Sequence, residues 1–404
     1  MLQVKTPEEA KKIILDNFKG STPVKEVLPL VACTGRVLAK NVLAEEFVPG
    51  FDRSSVDGYA VIASDTFGCS DSMGAILKLK GIVNMGRDAD FELFNGECAY
   101  VPTGGAVPDG ADAVVMIEYT ESYGGGEIGI LKPAAPGGNM VYRGDDVFPG
   151  KLVLKAGRTL RSEDIGALAA LGISEVAVAK KPVIGIISTG DELVNIDETP
   201  RAGQVRDVNS SMLAAAICDF GAEPKLYGIV RDGYQKLKAA LIDALNECDA
   251  VLISGGSSVG QMDSTCAVID ELGELLLHGI AMKPGKPTIV GDIGGKPVFG
   301  LPGHPVAAHF VSEIFVRPLV SQLLGCEEKI TYVKAKLTEA VSANHGRAQY
   351  SGVRLERKDG ELYASPVRTK SGLISSLAGC DGYFVISRDS EGCGKNEEIT
   401  VYLR

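Results

Sequence analysis

Residues 250–260 have the sequence Ala-Val-Leu-Ile-Ser-Gly-Gly-Ser-Ser-Val-Gly, an apolar run followed at once by a turn of glycines and serines. A short apolar run that ends at glycines is typical of a buried strand. Glycine also lets backbone N–H groups approach the oxygens of a phosphate or a similar anion. The stretch therefore predicts a strand of an α/β sheet with an anion-binding turn after it.

Two more segments of this kind follow apolar runs, Lys283-Pro-Gly-Lys286-Pro287 and Leu301-Pro-Gly-His304-Pro305. Two prolines stiffen the first segment and direct its lysine ammonium groups, which suits an oxyanion. The carboxylate of Asp263 can hold the divalent cation that accompanies a phosphate ligand. Together the three segments predict an anion-binding crevice and phosphoester chemistry.

Strands and helices alternate between residues 181 and 326, as in a doubly wound α/β domain. In such a domain the carboxyl ends of parallel strands share one edge of the sheet, where ligands bind. Glu192, Asp232 and Asp263 all follow strands at this edge, and their mutual repulsion calls for a cation. We therefore expect a Mg²⁺ site there. The predicted helices are Ser210–Phe220 with Asn209 as its N-cap, Tyr234–Asn246, Ser264–Leu272 and Val306–Leu324.

The rest of the chain has a different pattern. Residues 48–142 are rich in turns and alternating strands and predict a β-rich domain. The flanking pieces, 23–47 and 143–180, predict one elongated linking module, and residues 327–404 predict a small β-barrel. Residues 1–22 are assigned with 181–326 to the α/β domain. The G-x-G-x-x-G at Gly124–Gly129 precedes no helix and predicts a hairpin instead of a nucleotide site.

The composition excludes several classes of protein. The 404 residues carry a formal net charge of −11, which disfavours nonspecific binding to nucleic acid. The sequence has no long apolar run of the kind that spans a membrane, and its start lacks the apolar core of a signal peptide. The nine cysteines are scattered and form no Cys-x-x-Cys, which argues against a disulfide framework and a structural zinc site. We expect a cytoplasmic protein without membrane or nucleic-acid partners.

Seven segments, in order along the chain, resemble the MoeA family, whose eukaryotic relative is the E domain of gephyrin. The segments are Phe51–Val61, Val101–Pro108, Arg143–Asp146, Ser188–Leu193, Ser254–Gly260, Lys283–Pro287 and Leu301–Pro305.

This resemblance implies a molybdopterin molybdenumtransferase. Such an enzyme uses Mg²⁺, takes adenylylated molybdopterin and molybdate, and releases AMP as it makes molybdenum cofactor. The resemblance further implies a homodimer, with the active site between the α/β domain of one subunit and the β-rich domain of the other. The partners it implies are a MogA/MoaB-type adenylyltransferase as supplier and molybdoenzymes as acceptors.

The resemblance also assigns residues to the site. The acids Asp57, Asp146, Glu192, Asp232 and Asp263, with Thr103, would be catalytic, and Glu192, Asp232 and Asp263 would hold the metal. The glycine-rich turn would bind the pterin phosphate or the adenylate, and the two lysines, with two residues of the barrel, would bind molybdate. The implied substrate-binding residues are Gly255, Gly256, Ser257, Ser258, Gly260, Lys283, Lys286, Pro302, Gly303, Arg347 and Ser375.

The sequence departs from the family pattern at four positions: His304 replaces the usual Asn, Ala307 replaces the usual Ser, Val56 replaces the frequent Met, and Ser264 stands where an aromatic residue often follows the Asp. The missing hydroxyl removes one hydrogen bond to an oxyanion, worth about 1 kcal/mol, and a histidine makes the contact sensitive to pH. Tungstate is therefore an alternative to molybdate. Two other functions stay open: a molybdopterin adenylyltransferase, because the glycine-rich turn also occurs in MogA/MoaB domains, and a non-catalytic, cofactor-binding scaffold.

Overall fold

The structure is a computed structural model that describes residues 4–20, 23–255, 259–367 and 370–403; for residues 259–263 it describes the backbone only. Thr6 starts the first helix with a capping box: its hydroxyl accepts from Glu9 N at 3.1 Å, and its own N–H donates to Glu9 Oε2 at 2.9 Å. The α-helices are α1 Pro7–Asn17, α2 Ser162–Ala170, α3 Val208–Asp219, α4 Tyr234–Glu247, α5 Val259–Leu272, α6 Pro305–Val311 and α7 Arg317–Leu323.

Strands occur in every region of the chain. Those before residue 180 are β1 Lys25–Pro29, β2 Val42–Leu43, β3 Arg53–Ser54, β4 Gly58–Val61, β5 Ala75–Ile82, β6 Glu97–Val101, β7 Ala113–Met116, β8 Thr120–Gly124, β9 Glu127–Ile130, β10 Met140–Val141, β11 Leu152–Leu154 and β12 Glu175–Ala179. Those after it are β13 Val183–Thr189, β14 Leu193–Val194, β15 Val205–Arg206, β16 Glu223–Val230, β17 Ala250–Gly255, β18 Glu274–His278, β19 Met282–Lys283, β20 Ile289–Ile293, β21 Lys296–Leu301, β22 Tyr332–Leu337, β23 Val341–Ser342, β24 Ala348–Lys358, β25 Glu361–Pro366, β26 Gly382–Ile386, β27 Gly392–Cys393 and β28 Glu398–Leu403.

The central sheet has the strand order β16-β13-β17-β21-β20-β18. The first four strands are parallel, and β20 and β18 complete the sheet in antiparallel pairs. Along β17, Leu252 points into a core shared with α1, α3, α6 and α7, whereas Val251 and Ile253 point into a core shared with α4 and α5. Both faces of the sheet are therefore buried, which explains the continuous apolar run. The predicted doubly wound α/β fold is confirmed.

Three predictions about this region were wrong in detail. Helix α3 begins earlier than expected, because Asp207 is its N-cap and accepts from Ser210 N at 3.1 Å; Asn209 lies inside the helix. Helix α5 also begins earlier than predicted, at Val259. The long helix expected at Val306–Leu324 is divided by a π-helical turn, Ser312–Val316, before Pro318. Proline lacks an N–H and clashes with the preceding turn, so a regular α-helix cannot continue through it.

The β-rich region forms a sheet with the order β7-β4-β6-β5-β9-β8. The edge strand β8 pairs antiparallel with β9 around Gly124–Gly126, so the hairpin predicted for Gly124–Gly129 is confirmed. The flanking segments pair with each other, β1 with β12 and β2 with β11, around a core that includes Leu38 and Leu168. Two separate parts of the chain thus pair around one core.

The C-terminal strands form a closed five-stranded barrel, β24-β25-β22-β28-β26, in which β26 pairs back to β24. This confirms the predicted β-barrel. The barrel is attached to the α/β region by β19, which pairs in parallel with the start of β24 and places Lys283 beside Gln349. Phe310 of α6 is fully buried at the same junction, with ring centroids 5.9 Å from Tyr350 and 5.6 Å from Tyr383. Within the part of the chain that the structure describes, no helix combines the length and hydropathy needed to cross a bilayer.

Replacing Phe310 with alanine removes the aromatic side chain that joins α6 to the barrel. Because the ring is fully buried between two packed units, we expect Phe310→Ala to destabilise the fold by about 3–5 kcal/mol. The measurement is a lowered midpoint of thermal unfolding. The exposed Phe67 provides a matched control, and Phe67→Ala should change stability by less than about 0.5 kcal/mol. Equal midpoints for the two variants would contradict the packing described here.

Candidate functional site

The carboxyl ends of β13 and β17 lie side by side, with Thr189 paired to Gly255. Gly255 has φ +126, and a Cβ atom at this position would lie 1.9 Å from the carbonyl oxygen of Thr189. No other residue fits there without moving the backbone. The glycine that begins the predicted anion-binding turn is thus required by the close approach of two strands. Gly256, Ser257 and Ser258 lie outside the described residues, and Gly260 lies in the first turn of α5.

Two of the predicted acids meet at this edge of the sheet. The carboxylate of Glu192 folds back over Gly190, whose N–H donates to Val230 O at 3.3 Å, next to the turn that carries Asp232. The Thr189 hydroxyl lies 3.5 Å from Asp232 Oδ1. The structure therefore brings Glu192 and Asp232 to neighbouring strand ends, as the sequence predicted.

The third predicted metal ligand, Asp263, lies in α5, but its side chain is outside the described part of the structure. Among the side chains that are described, no group of three or more His, Cys, Asp or Glu is arranged to hold a metal ion. The donor set still fits Mg²⁺ in kind, because this ion binds proteins through one or two carboxylates and takes its other oxygens from phosphate and water. Glu192 and Asp232 supply such carboxylates.

Asn209 is a residue of this site that the sequence analysis misassigned. Its Nδ2 donates to Ser254 Oγ at 2.7 Å and to Gly303 O at 2.9 Å, and the residue is only 7% exposed. One buried amide thus ties the end of β17 to the Leu301–Pro305 segment. Its Oδ1 is buried and has no hydrogen-bond partner among the described residues. The local signal was ambiguous, since Asp207 and Asn209 are both capping residues and only one can cap α3.

A cavity of about 830 Å³ lies near these segments, between the α/β region and the barrel. Four cationic side chains line it: Lys283, Lys286, Arg347 and Lys370. None of the described residues that line it is acidic. In a chain with a net charge of −11, this concentration of positive charge is a local arrangement, and it suits a small anion.

Hydrogen bonds to the backbone fix the position of the loop that carries Lys283 and Lys286. Ile280 N donates to Lys286 O at 3.0 Å, and the Thr288 hydroxyl donates to Gly285 O at 2.7 Å. The ammonium groups themselves stay exposed to the cavity, and none of the ion pairs formed by the described residues includes Lys283, Lys286 or Arg347. These three cations therefore have no internal carboxylate that competes with a bound anion.

Some of the other predicted substrate-binding residues line this cavity, and others do not. Pro302 and Arg347 line it, and Gly303 lies next to it as the acceptor for Asn209. Ser375 is exposed on the 3₁₀ turn Ile374–Ser376 and is not among the described lining residues, so its predicted contact with molybdate has no support here.

Lys370 and Ser371 do line the cavity, and the sequence analysis missed both. They sit in a loop without a local pattern, and only the tertiary structure brings them to the cavity. Tyr350 also lines the cavity, and burial raises the pKa of its phenol, so this side chain stays neutral.

The remaining predicted residues form a separate group on the β-rich region. Asp57 Oδ1 accepts from Thr103 N at 2.8 Å. Asp146 lies in the neighbouring loop, where Arg143 N donates to Asp52 Oδ1 at 2.7 Å and ties this loop to the one that carries Asp57. All three predicted residues are exposed. No hydrogen bond among the described residues joins this group to the sheet edge or to the cavity.

The fold and the site together define a multidomain α/β protein with a cation-lined cavity and a glycine-containing strand end. Family profiles match three parts of the chain: the MoeA N-terminal region, domains I and II, at residues 5–172; a probable molybdopterin binding domain at residues 185–322; and the MoeA C-terminal region, domain IV, at residues 334–403. The chain belongs to the MoeA family.

Individual relatives agree with this assignment. A putative molybdopterin biosynthesis protein of Methanocaldococcus jannaschii is 36% identical over 98% of this chain and 97% of its own length. A molybdopterin molybdenumtransferase of Bacillus subtilis is 31% identical over 100% of this chain and 95% of its own length. The crystal structure of a molybdopterin biosynthesis MoeA protein from Pyrococcus horikoshii OT3 is 35% identical, covers 100% of both chains and has a TM-score of 0.87.

Replacing Asn209 with alanine leaves Ser254 Oγ and Gly303 O without their shared donor. Because Asn209 itself is buried and its contact with Ser254 is buried too, we expect Asn209→Ala to destabilise the fold by about 1–3 kcal/mol. Asn246 is exposed near the end of α4, so Asn246→Ala is the matched control and should be nearly neutral. The measurement is the midpoint of thermal unfolding for each variant. An unchanged midpoint for Asn209→Ala would show that the amide does not join the two segments.

Proposed function

We propose that this chain is a molybdopterin molybdenumtransferase, which inserts molybdate into adenylylated molybdopterin and releases AMP. Membership of the MoeA family supports the pathway, and the relative in Bacillus subtilis carries this activity in its name. The single observation that carries the proposal is the cavity, because its four cations and its lack of described acidic lining suit an oxyanion. Either molybdate or tungstate matches this chemistry.

Each group of residues has a distinct task in this proposal. Lys283, Lys286 and Arg347 hold the oxyanion through charge-assisted hydrogen bonds. The turn that begins at Gly255 offers backbone N–H groups to the phosphate or adenylate of the pterin substrate. Asn209 fixes the distance between these two places, since it joins Ser254 to Gly303. The reaction then depends on positioning and electrostatics and needs no protein nucleophile.

Mg²⁺ completes the proposed site. Glu192 and Asp232, with Asp263 as the third acid, would hold it at the sheet edge. When bound, Mg²⁺ neutralises charge on the phosphate oxygens as the pyrophosphate bond breaks. Without a cation, these three carboxylates would repel the anionic substrate. We therefore expect the cation and the substrate to bind together.

We further propose that the enzyme is a cytoplasmic homodimer. The group formed by Asp57, Thr103 and Asp146 lies on the β-rich region without a described bond to the other two groups, so a second subunit is the natural source of its partners. A MogA/MoaB-type adenylyltransferase would supply the substrate, and molybdoenzymes would accept the product. We also propose four domains. They are residues 1–22 with 181–326, residues 23–47 with 143–180, residues 48–142, and residues 327–404.

The role of the cavity can be tested with Lys286→Ala. Loss of one charge-assisted hydrogen bond is worth about 1.5–3 kcal/mol, so the KM for molybdate should rise about tenfold or more while kcat at saturation changes less. The assay follows AMP release from adenylylated molybdopterin with Mg²⁺ and varied molybdate. Lys334→Ala, on the outside of the barrel, is the matched control.

The same assay separates the alternatives. Formation of the adenylate from molybdopterin, ATP and Mg²⁺ would favour an adenylyltransferase. Binding without turnover of any substrate would favour a scaffold. A KM for molybdate that is the same in Lys286→Ala and Lys334→Ala would remove the cavity from the mechanism.

The shared site can be tested by complementation. Asp57→Ala and Lys286→Ala homodimers should each be impaired at both of their sites. In a mixed dimer, one site combines the wild-type Asp57 of one subunit with the wild-type Lys286 of the other. Random pairing makes about half of the dimers mixed, and half of their sites intact, so about a quarter of wild-type activity should return when molybdate is well below the KM of Lys286→Ala. Co-expressed chains that regain no activity would show that both residues act within one subunit.

A further inference from the structure

His304 is the residue that replaces the usual Asn of the family. Its Nδ1 lies 3.1 Å from the hydroxyl of Ser371, and the backbone of Ser371 accepts a second hydrogen bond from Val306 N at 3.1 Å. Both His304 and Ser371 line the cavity. The start of α6 and the loop from the barrel therefore meet at a hydrogen-bonded pair in the cavity wall.

The protonation state of His304 Nδ1 determines whether the Ser371 hydroxyl can donate a hydrogen bond to a ligand. A serine hydroxyl has one proton to donate. If the Ser371 hydroxyl donates its proton in a hydrogen bond to His304 Nδ1, only the oxygen lone pairs of the hydroxyl face the cavity. If Nδ1 carries a proton, the hydroxyl accepts from His304 and its own O–H is available for an anion. The side chain at position 304 thus controls a donor that belongs to position 371.

The charged side chains among the described residues that line the cavity are all cationic. Lys283 and Lys286 come from the proline-stiffened loop, Arg347 from the start of the barrel strand β24, and Lys370 from the same loop as Ser371. Tyr350, also in the wall, is neutral. A protonated imidazole therefore adds a further positive charge beside a bound dianion, and it frees a hydroxyl donor at the same time.

We propose that His304 and Ser371 form a proton-linked recognition pair for the oxyanion, in which protonated His304 turns the Ser371 hydroxyl toward the ligand as a donor. This inference deepens the function proposed above and rests on it for the identity of the oxyanion. By linkage, binding of the oxyanion and uptake of a proton at His304 favour each other. His304 is a positioning residue here, because it acts through Ser371.

Titration calorimetry of the full-length protein with molybdate tests the pair directly. Molybdate remains a dianion near neutral pH, so changes in affinity report on the protein. Wild-type protein should bind about fivefold or more tightly at about pH 6 than at about pH 8, which is the effect of one hydrogen bond gained. His304→Asn should bind equally at both pH values, and Ser371→Ala should bind more weakly at the lower pH than wild-type protein does.

Proton uptake gives a second readout that a merely structural role would not change. Calorimetry at neutral pH in buffers of different ionisation enthalpy should show net proton uptake when wild-type protein binds molybdate. His304→Asn should show none of that uptake. His278 lies on β18, away from the cavity, and His278→Asn is the matched control that should keep the wild-type uptake.

The outcomes separate this inference from the proposed function. If wild-type protein fails to bind molybdate at either pH, the proposed function is wrong. If wild-type protein binds molybdate, but His304→Asn or Ser371→Ala keeps the full wild-type pH dependence and proton uptake, the recognition pair is wrong and the proposed function stands.

Discussion

Burial of the central sheet on both faces is the constraint on which the rest of the structure depends. Val251 and Leu252 point to opposite sides of β17 and enter two different cores. Because both faces are covered by apolar side chains, the polar side chains that can bind a ligand lie where the strands end. Thr189, Asp232 and Gly255 all lie at such ends, and the contact between Gly255 and Thr189 leaves no space for a side chain.

The cavity shows how an acidic protein can accept an anion. Its cations come from three parts of the chain that are far apart in sequence: the Lys283–Lys286 loop, Arg347 and Lys370. Pairing of β19 with β24 holds the first two together, and the bonds of Ser371 to His304 and Val306 hold the third. The net charge of the chain therefore does not predict the electrostatic potential inside one cavity.

Asn209 connects the two halves of the site. A single amide that donates to Ser254 and to Gly303 makes the position of the glycine-rich strand end depend on the position of the Pro302–Gly303 turn. Loss of either contact has a free-energy cost, because the amide is buried. This coupling suits a reaction in which two anionic ligands must meet.

The sequence by itself determined the doubly wound fold, the hairpin at Gly124–Gly126, the C-terminal barrel and the cationic loop, because apolar periodicity and glycine or proline turns act over a few residues. It misplaced the N-cap of α3, because Asp207 and Asn209 are equivalent as local signals and only a tertiary contact distinguishes them. The tertiary structure alone decided that Lys370 and Ser371, and not Ser375, line the cavity, and that His304 bonds to Ser371. Contacts between distant segments depend on how the sheet and the barrel pack, and no short pattern in the chain encodes that packing.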